Sequence, residues 1–430
     1  MRRARVDLLD KAAILLPIVL FYAMLVPAGL SAELGGFRLY AFRAVLLLSI
    51  PLLLYRALRI AIRPRFADGL VAAAAMWTIV AFVANRGFAE GLQSGGRYAL
   101  DIAVSYAVAR ICLRSEADFR RLLHAALPGL LVCAAALGME SVAGKPRFIA
   151  MFPLSESVGS SANEYRLGLL RAFGPFSHAI LGGLLTTSFA TLYVFCVRRP
   201  GARKLGAIAA MGGLFTLSSA AFVNVGAQIG MMVYRRLTRI AGFGLDWRPL
   251  VLAIAGLIVT LQLVTDSGAA PNIVRFASLD PATGYMRLQI WEHGVASVAA
   301  NPVFGIGYDH YAPNTWMTES IDNHWLYLAV RFGLPQAVFE LAVLAAVLIG
   351  LGSISTRLPE RAGRPFAGLF IVLFCLGFAG LSVAFFNEFL VFYYLLVGGG
   401  VSLIELVDRR RARAAALRLH AARRARAAFG

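Results

Sequence analysis

Long apolar runs, separated by short clusters of Arg and Lys, recur along the whole chain and restrict its fold more than any other feature. A helix needs about 20 consecutive apolar residues to cross the hydrocarbon core of a bilayer, and most of these runs approach that length. A transmembrane barrel would instead show alternating segments of about ten residues, which are absent. With 59% hydrophobic residues, the sequence predicts an all-α polytopic membrane protein in which 1–430 form one integral membrane domain.

The runs predict about twelve transmembrane helices, each near the required length. Basic residues concentrate in alternate connections and at both ends of the chain, which by the positive-inside rule predicts that both termini are cytoplasmic. The segment 205–234 fits either two helices joined by a tight hairpin or one broken helix. The predicted helices lie near 12–30, 39–57, 67–85, 96–112, 122–142, 179–197, 205–219, 220–234, 249–265, 326–352, 366–386 and 388–407.

The formal net charge of +19 follows from this placement of basic residues and does not indicate nucleic-acid binding. The segment 408–430 is rich in Arg and Ala, with no interleaved aromatic residues to stack on bases. We interpret it as a basic cytoplasmic tail that contacts anionic membrane lipids.

Two connections, 143–178 and 266–325, are much longer than the others, and the predicted topology places both on the side opposite the termini. Long ordered connections in a compact protein usually carry function. They contain most of the six histidines, together with aromatic residues and arginines. We therefore expect the functional site to lie between these two outer loops.

Arg166 and Arg171 in the first loop precede a Gly174-Pro175 turn that leads the chain back into the membrane. A guanidinium group is always charged and offers two parallel donors to phosphate oxygens, so an arginine at a membrane surface suits a diphosphate. The alternative is that these are interfacial arginines whose head groups reach for water.

The second loop contains MRLQIWEHGVASVA, which predicts an amphipathic helix lying at the interface, with Trp291 as its anchor and Arg287 directed toward the site. The following NPVFGIG places Gly305 and Gly307 where backbone can approach a ligand closely. GxG alone is weak evidence, because the chain has 41 glycines.

SIDNHWLYLAVRFGLP begins with polar residues and continues into an apolar run. Asp322 or His324 can serve as a base toward a sugar hydroxyl, and one of the residues at this helix start is expected to be the helix N-cap. Arg331 lies inside the run, where a charge requires a partner or a ligand, unless its side chain reaches back to the interface. No spacing indicates a metal site or a nucleotide-binding loop.

Three segments together resemble the O-antigen ligase and polymerase family of bacterial envelope proteins. They are RAFGPFSHAILGG, YMRLQIWEHGVASVAANPVFGIG and IDNHWLYLAVRFGLP, in this order among many spans and two long outer loops. The resemblance implies an inner-membrane enzyme that transfers a glycan from an undecaprenyl-diphosphate carrier at the outer face, without metal or cofactor. The acceptor would be another lipid-linked glycan for a polymerase, or lipid A core for a ligase.

The resemblance also implies roles for individual residues, since Arg171 and Arg287 match the positions of arginines that hold the diphosphate. Alignment on Gly333 places Asp322 where a ligase has His, and Arg171 is followed by a glycine at the spacing described for polymerases, which favours a polymerase. A transporter of lipid-linked glycans and a structural subunit are the alternatives from other classes. The expected site consists of Asp322 and His324 as base candidates, Arg166, Arg171, Arg287 and Arg331 at the diphosphate, and Trp291, Gly305, Gly307 and His310 in the substrate loop.

Overall fold

The computed structural model describes residues 13–34, 37–151, 164–240, 247–265, 281–312 and 319–428. These residues are almost entirely helical, apart from two short antiparallel strand pairs, so the predicted all-α fold is confirmed. Parts of both long outer loops, including 152–163 and 266–280, lie outside the described residues. The strands are β1 (Ala32–Leu34), β2 (Phe37–Leu39), β3 (Tyr165–Arg166) and β4 (Leu169–Leu170).

Seven helices in the described parts of the chain are long and apolar enough to cross a membrane, and two shorter ones are also apolar. The multi-pass prediction is confirmed, whereas the number twelve stays a prediction. The helices are α1 (Leu15–Met24), α2 (Ala41–Arg59), α3 (Phe66–Arg86), α4 (Phe88–Cys112), α5 (Glu116–Ala143), α6 (Arg147–Met151), α7 (Ala179–Cys196), α8 (Pro200–Ala210), α9 (Ser219–Ile240), α10 (Trp247–Val264), α11 (Pro281–Ala300), α12 (His324–Phe332), α13 (Leu334–Arg357), α14 (Glu360–Ala379) and α15 (Asn387–Ala428).

The centre of the fold is formed by α7, α14 and the apolar part of α15, whose side chains are buried on nearly all sides. A helix that is apolar all round packs inside a bundle, whereas α2 and α10 expose many apolar side chains as lipid-facing helices do. Small residues allow the closest approaches. A Cβ at Gly91 would lie 2.5 Å from the Val83 backbone, so α3 and α4 form a tight hairpin through Gly87.

Polar contacts between distant segments collect at the two ends of the bundle. At one end, Arg110 pairs with Asp68 and Glu405, next to the clusters of basic residues. At the other end, the Asn85 amide donates to the Phe304 carbonyl at 3.0 Å, close to the long loops. We call this second end of the bundle, which lies close to the long loops, the loop end. All site residues described below belong to it.

The apolar run predicted as one helix over 326–352 forms two helices, α12 and α13. The break is at Gly333, whose φ of 87° is a conformation that other residues rarely adopt. A Cβ there would lie 1.8 Å from the Val303 carbonyl oxygen, because Leu334 N–H donates to the Pro302 carbonyl at 2.8 Å. This close contact fixes the loop after α11 against the end of α12.

The segment 205–234 is also interrupted. After α8, residues Met211–Thr216 form a 3-10 turn, and Leu217 adopts a left-handed φ of 45° before α9 begins. The interruption therefore corresponds to a turn between two helices, and it lies beside the first-loop segment because Ala172 N–H donates to the Phe215 carbonyl at 3.2 Å.

Gly333→Ala is expected to destabilise the protein by about 2 kcal/mol or more, because positive φ and the clash with the Val303 carbonyl act together. Gly226→Ala in α9 is the matched control. A Cβ at Gly226 meets no atom within 4 Å, and alanine favours a helix. Thermal unfolding of both variants in detergent measures the difference. Equal midpoints for the two variants would contradict the proposed backbone contact.

Candidate active site

The first element of the site is the β3–β4 hairpin, which brings two arginines to one carboxylate. Arg171 Nη1 donates to Glu164 Oε2 at 2.6 Å, and Arg166 Nε donates to Glu164 Oε1 at 2.6 Å. The Arg171 N–H also donates to the Glu164 carbonyl at 2.9 Å, so backbone and side chains hold the same register. Arg171 is buried, whereas Glu164 keeps about a third of its side chain exposed.

Two buried carboxylates from the membrane helices fix the segment that follows Arg171. Glu140, near the end of α5, accepts the backbone N–H groups of Phe173 at 3.1 Å and Gly174 at 2.8 Å. Glu388, in the first turn of α15, accepts the backbone N–H and the hydroxyl of Ser177, each at 2.8 Å. The chain between Arg171 and α7 is therefore attached to two different helices.

The second element is α11, which carries Arg287 as a buried residue. The predicted helix is present, and its position flat on the membrane interface stays a prediction. Ile290 and the half-buried Trp291 pack into a small apolar cluster with Leu326 and Val330 of α12, and Val295 is exposed. Gly294 permits this packing, since a Cβ there would lie 2.6 Å from the Leu326 side chain.

Asp322, just before α12, connects the two loops electrostatically. Its carboxylate acts on Arg171 from the first loop and on Arg287 from the second. It also acts on His178 and Tyr311. Arg171 and Arg287, from separate segments, are thus both within the electrostatic influence of one carboxylate at the loop end.

Burial and the neighbouring charges together determine the pKa values of Arg171, Arg287 and Glu164. Burial lowers the pKa of Arg171 and of Arg287, although Glu164 and Asp322, respectively, act to raise them. Both remain cationic, because an arginine does not lose its proton in a protein. Burial opposes ionisation of Glu164, but Arg171 and Arg166 outweigh this effect and lower the pKa of Glu164.

The start of α12 resolves which residue is the cap. The Asn323 side chain accepts the Leu326 N–H at 3.0 Å, so Asn323 is the N-cap. Asp322 is thereby left for other contacts, and the Ser320 hydroxyl donates to it at 3.0 Å. Asp322 is half-buried and therefore accessible from the loop end.

His324 lies in a different environment, fully buried and stacked on Phe385 with ring centroids 4.2 Å apart. Its Nδ1 accepts the Phe385 N–H at 3.3 Å, and its Nε2 lies 3.4 Å from Glu340 Oε2. Tyr98 and Gln336 donate to the other oxygen of Glu340, at 3.0 and 2.8 Å. His324 thus belongs to a polar network inside the bundle and is not exposed beside the arginines.

Arg331 is buried, and all its described hydrogen bonds go to backbone carbonyls. It donates to Gly307 at 3.0 Å, Asp309 at 2.7 Å and Glu319 at 3.1 Å, and it thereby organises the loop ahead of α12. This loop also depends on Gly305, whose Cβ would lie 2.5 Å from the Val330 carbonyl oxygen.

Gly305 and Gly307, the two glycines predicted to approach a ligand, both adopt left-handed conformations. Gly305 packs on α12, and Gly307 has a φ of 60° with its N–H donated to the Arg331 carbonyl at 3.0 Å. His310 is exposed, contacts the Ala312 carbonyl through Nδ1 at 2.6 Å and stacks on Tyr311. These residues shape the loop, and their contact with substrate stays a prediction.

Sequence reasoning missed several charged residues at the loop end. Glu164 was not identified, although a carboxylate two residues before Arg166 is a signal for an ion pair. Arg43 and Asp101 lie in apolar helices and form a buried ion pair at 2.6 Å. An intramembrane charge is itself a functional signal, and these two would have been found by it. Together with Arg97 they border a cavity of about 270 Å³.

Comparison with known proteins identifies one family model that matches part of the chain. Residues 205–339 match a family model described as O-antigen ligase. The match runs from α8 into α13 and so includes Arg287, Asp322, His324 and Arg331, but not the Arg171 segment. The resemblance drawn from the sequence is confirmed over this segment. No curated protein matches the chain.

His178 gives a pH-dependent prediction. Its side chain caps α7 by accepting the Ile180 N–H at 3.2 Å, and burial, followed by the charge of Arg171, lowers its pKa to about 4. Asp322 and Glu164 act in the opposite direction. Between pH 6.5 and 4 the unfolded chain binds this proton and the folded protein does not. The His178 contribution to stability is therefore complete above pH 6.5 and is lost as the pH falls.

His178→Asn keeps a capping oxygen but removes the titrating group. The melting temperature of the variant is expected to fall less steeply between pH 6.5 and 4 than that of the unmodified protein, while the two agree more closely near pH 7. Carboxylates that titrate in this range contribute equally to both proteins. Parallel pH profiles would contradict the lowered pKa.

Proposed function

Since residues 205–339 match a family model described as O-antigen ligase, and seven described helices are long and apolar enough to cross a membrane, we propose that the protein is an inner-membrane enzyme that transfers a glycan from an undecaprenyl-diphosphate carrier during surface-polysaccharide assembly. The loop end would then face the periplasm and both termini the cytoplasm. The single observation that carries the proposal is that the charge of Asp322 acts electrostatically on both Arg171 and Arg287, which belong to different loops.

The arginines are suited to the diphosphate of the donor. Arg171 and Arg166 are already held on a carboxylate with short charge-assisted hydrogen bonds, so their donors are oriented for oxygen anions. Arg287 supplies a second buried cation from the opposite loop. In the transfer step, negative charge develops on the departing diphosphate, and fixed cations stabilise it there without reorganising.

The reaction exchanges one bond for another at the anomeric carbon of the donor sugar. A hydroxyl oxygen of the acceptor forms the new glycosidic bond, while the bond from the anomeric carbon to the diphosphate breaks. The electron pair of that bond leaves on the diphosphate, and the hydroxyl proton passes to a base. Asp322 is the base we favour, because it is half-buried beside the arginines, whereas His324 is fully buried on Phe385.

Within this function we favour a polymerase that joins lipid-linked repeat units. The residue aligned with the His of a ligase is Asp322, and Arg171 has Gly182 at the spacing described for polymerases. Gly182 packs against the turn itself, since a Cβ there would lie 2.3 Å from the Phe176 ring. A ligase that uses lipid A core as acceptor is the second candidate, supported by the description of the matching family.

Arg171→Lys and Arg287→Lys keep the charge but remove the two-pronged donor, so each is expected to lower transfer by about 100-fold. The measurement is the length distribution of surface glycan in cells. The amounts of lipid-linked repeat units in the inner and outer leaflets are measured separately. Arg147→Lys is the control, because Arg147 is exposed at the same end and outside the charged group. Melting temperatures of the purified variants verify folding.

The products distinguish the candidates. Single repeats on the core would indicate lost polymerisation, and bare core with carrier-bound long chains would indicate lost ligation. Repeats that accumulate at the inner leaflet would indicate a transporter and overturn the proposal, as would normal glycan in both Arg variants.

Asp322→Asn is expected to reduce the maximal transfer rate by at least about 100-fold without weakening donor binding, because the amide cannot accept the proton and no longer repels the diphosphate. His324→Gln tests the buried alternative. Loss of rate in His324→Gln together with a lowered melting temperature indicates a structural role. Loss of rate at an unchanged melting temperature, with Asp322→Asn active, would reassign the base to His324.

A further inference from the structure

A polar cavity lies at the loop end, between α2, α4 and the start of α15. We call it the Arg97 cavity, and its walls include Arg38, Arg43, Arg97 and Asp101. Its volume of about 270 Å³ is several times the roughly 30 Å³ that one water molecule occupies in the liquid. It is formed largely by residues that lie before the segment 205–339, so the family match assigns it no role.

The charged side chains that line the Arg97 cavity leave a positive excess, while two further carboxylates lie behind the wall: Glu340 accepts from Tyr98, and Glu388 is within the electrostatic influence of Arg43. Asp101 is engaged by Arg43, which donates to its carboxylate through Nε at 3.0 and 3.1 Å and through Nη2 at 2.6 Å. Arg97 makes one hydrogen bond among the described residues, to the Ser94 hydroxyl at 3.3 Å, and its buried Nε has no partner there. Since Asp101 is the one carboxylate in the lining, Arg97 and Arg38 have donor capacity for an anion.

Aromatic rings form much of the remaining wall. Tyr40, Tyr308 and Tyr327 line the cavity together with Phe386. A flat aromatic face covers the apolar C–H face of a sugar ring, while a few polar groups at the edge bind its hydroxyls. Asn387 supplies such a group, because its amide lines the same cavity. A small inorganic anion would need the cations but no aromatic wall.

The Arg97 cavity adjoins the segment that carries Arg171. The Asn387 amide donates to the Ser177 hydroxyl at 3.4 Å, and the Phe386 ring lies 6.2 Å from the His178 ring. A sugar in the cavity is therefore one or two side chains away from the proposed donor site.

We propose that the Arg97 cavity binds an anionic sugar of the acceptor glycan, a unit that carries a carboxylate or a phosphate ester. The role as acceptor site rests on the proposed transfer function. The binding preference itself follows from the excess of positive charge and the aromatic wall. Arg97 and Arg38 would pair with the anionic group, and Tyr308 and Tyr327 would cover the ring.

The test measures binding of three soluble probes to the full-length protein in detergent by calorimetry. Trigalacturonate carries carboxylates, N-acetylglucosamine 1-phosphate carries a phosphate ester, and maltotriose is a neutral oligosaccharide. At least one anionic probe is expected to bind about tenfold more tightly than maltotriose, as one charge-assisted hydrogen bond provides. The tighter of the two anionic probes identifies the anionic group.

Arg97→Gln is expected to lower the affinity for the anionic probe to the affinity for maltotriose. Arg147→Gln, which removes the same charge from an exposed position at the loop end, is expected to keep the preference. Equal binding of all three probes, or equal losses in both variants, would overturn the proposal. Farnesyl diphosphate binding reports the donor site separately and is expected to persist in Arg97→Gln. If farnesyl diphosphate does not bind to the unmodified protein, this result would count against the transfer function but would leave the sugar preference intact.

Discussion

The geometry of the loop end depends on buried carboxylates that accept backbone hydrogen bonds. Glu140 receives N–H groups from Phe148, Phe173 and Gly174, and Glu388 receives Ser177. A buried carboxylate without partners would cost several kcal/mol, so the turn and the carboxylates stabilise one another. The segment between Arg171 and α7 is thereby held by helices far apart in sequence.

The same arrangement explains how the site is divided. The membrane helices contribute fixed anchors, namely Glu140, Glu388 and the backbone of α12 around Gly333. The loops contribute the charged side chains Arg171, Arg287 and Asp322. A residue buried among helices, such as His324, has a fixed position but is not accessible from the loop end. Accessibility therefore separates the two base candidates more clearly than their chemical type does.

Much of the fold was accessible from the sequence because lipid selects long apolar helices and tolerates few charges between them. The breaks were harder to predict. The run through Gly333 is apolar on both sides, and only the contact with the Val303 carbonyl shows why the helix must end there. The 3-10 turn after α8 likewise depends on packing against the Ala172 backbone and has no distinct pattern of its own.

The site was partly predictable for a similar reason. Arginines in outer loops are visible as charges, and the cap before α12 follows from residue type. The pairing of Arg43 with Asp101 joins positions in two different helices, and the burial of His324 depends on Phe385. Such contacts are tertiary and leave no local signal. The loop glycines have positive φ, and Gly305 lies against the backbone of α12, whereas their approach to a ligand stays a prediction.

The carboxylate of Glu164, shared by Arg166 and Arg171, is in effect a built-in counterion. It relieves repulsion between two neighbouring cations. If these arginines bind the donor diphosphate as proposed, the ligand has to displace Glu164. A singly charged ion would gain little by replacing this carboxylate, whereas a ligand that presents several oxygens at once could outcompete it. Under that proposal, the tethered counterion disfavours small anions of the surrounding medium relative to a diphosphate.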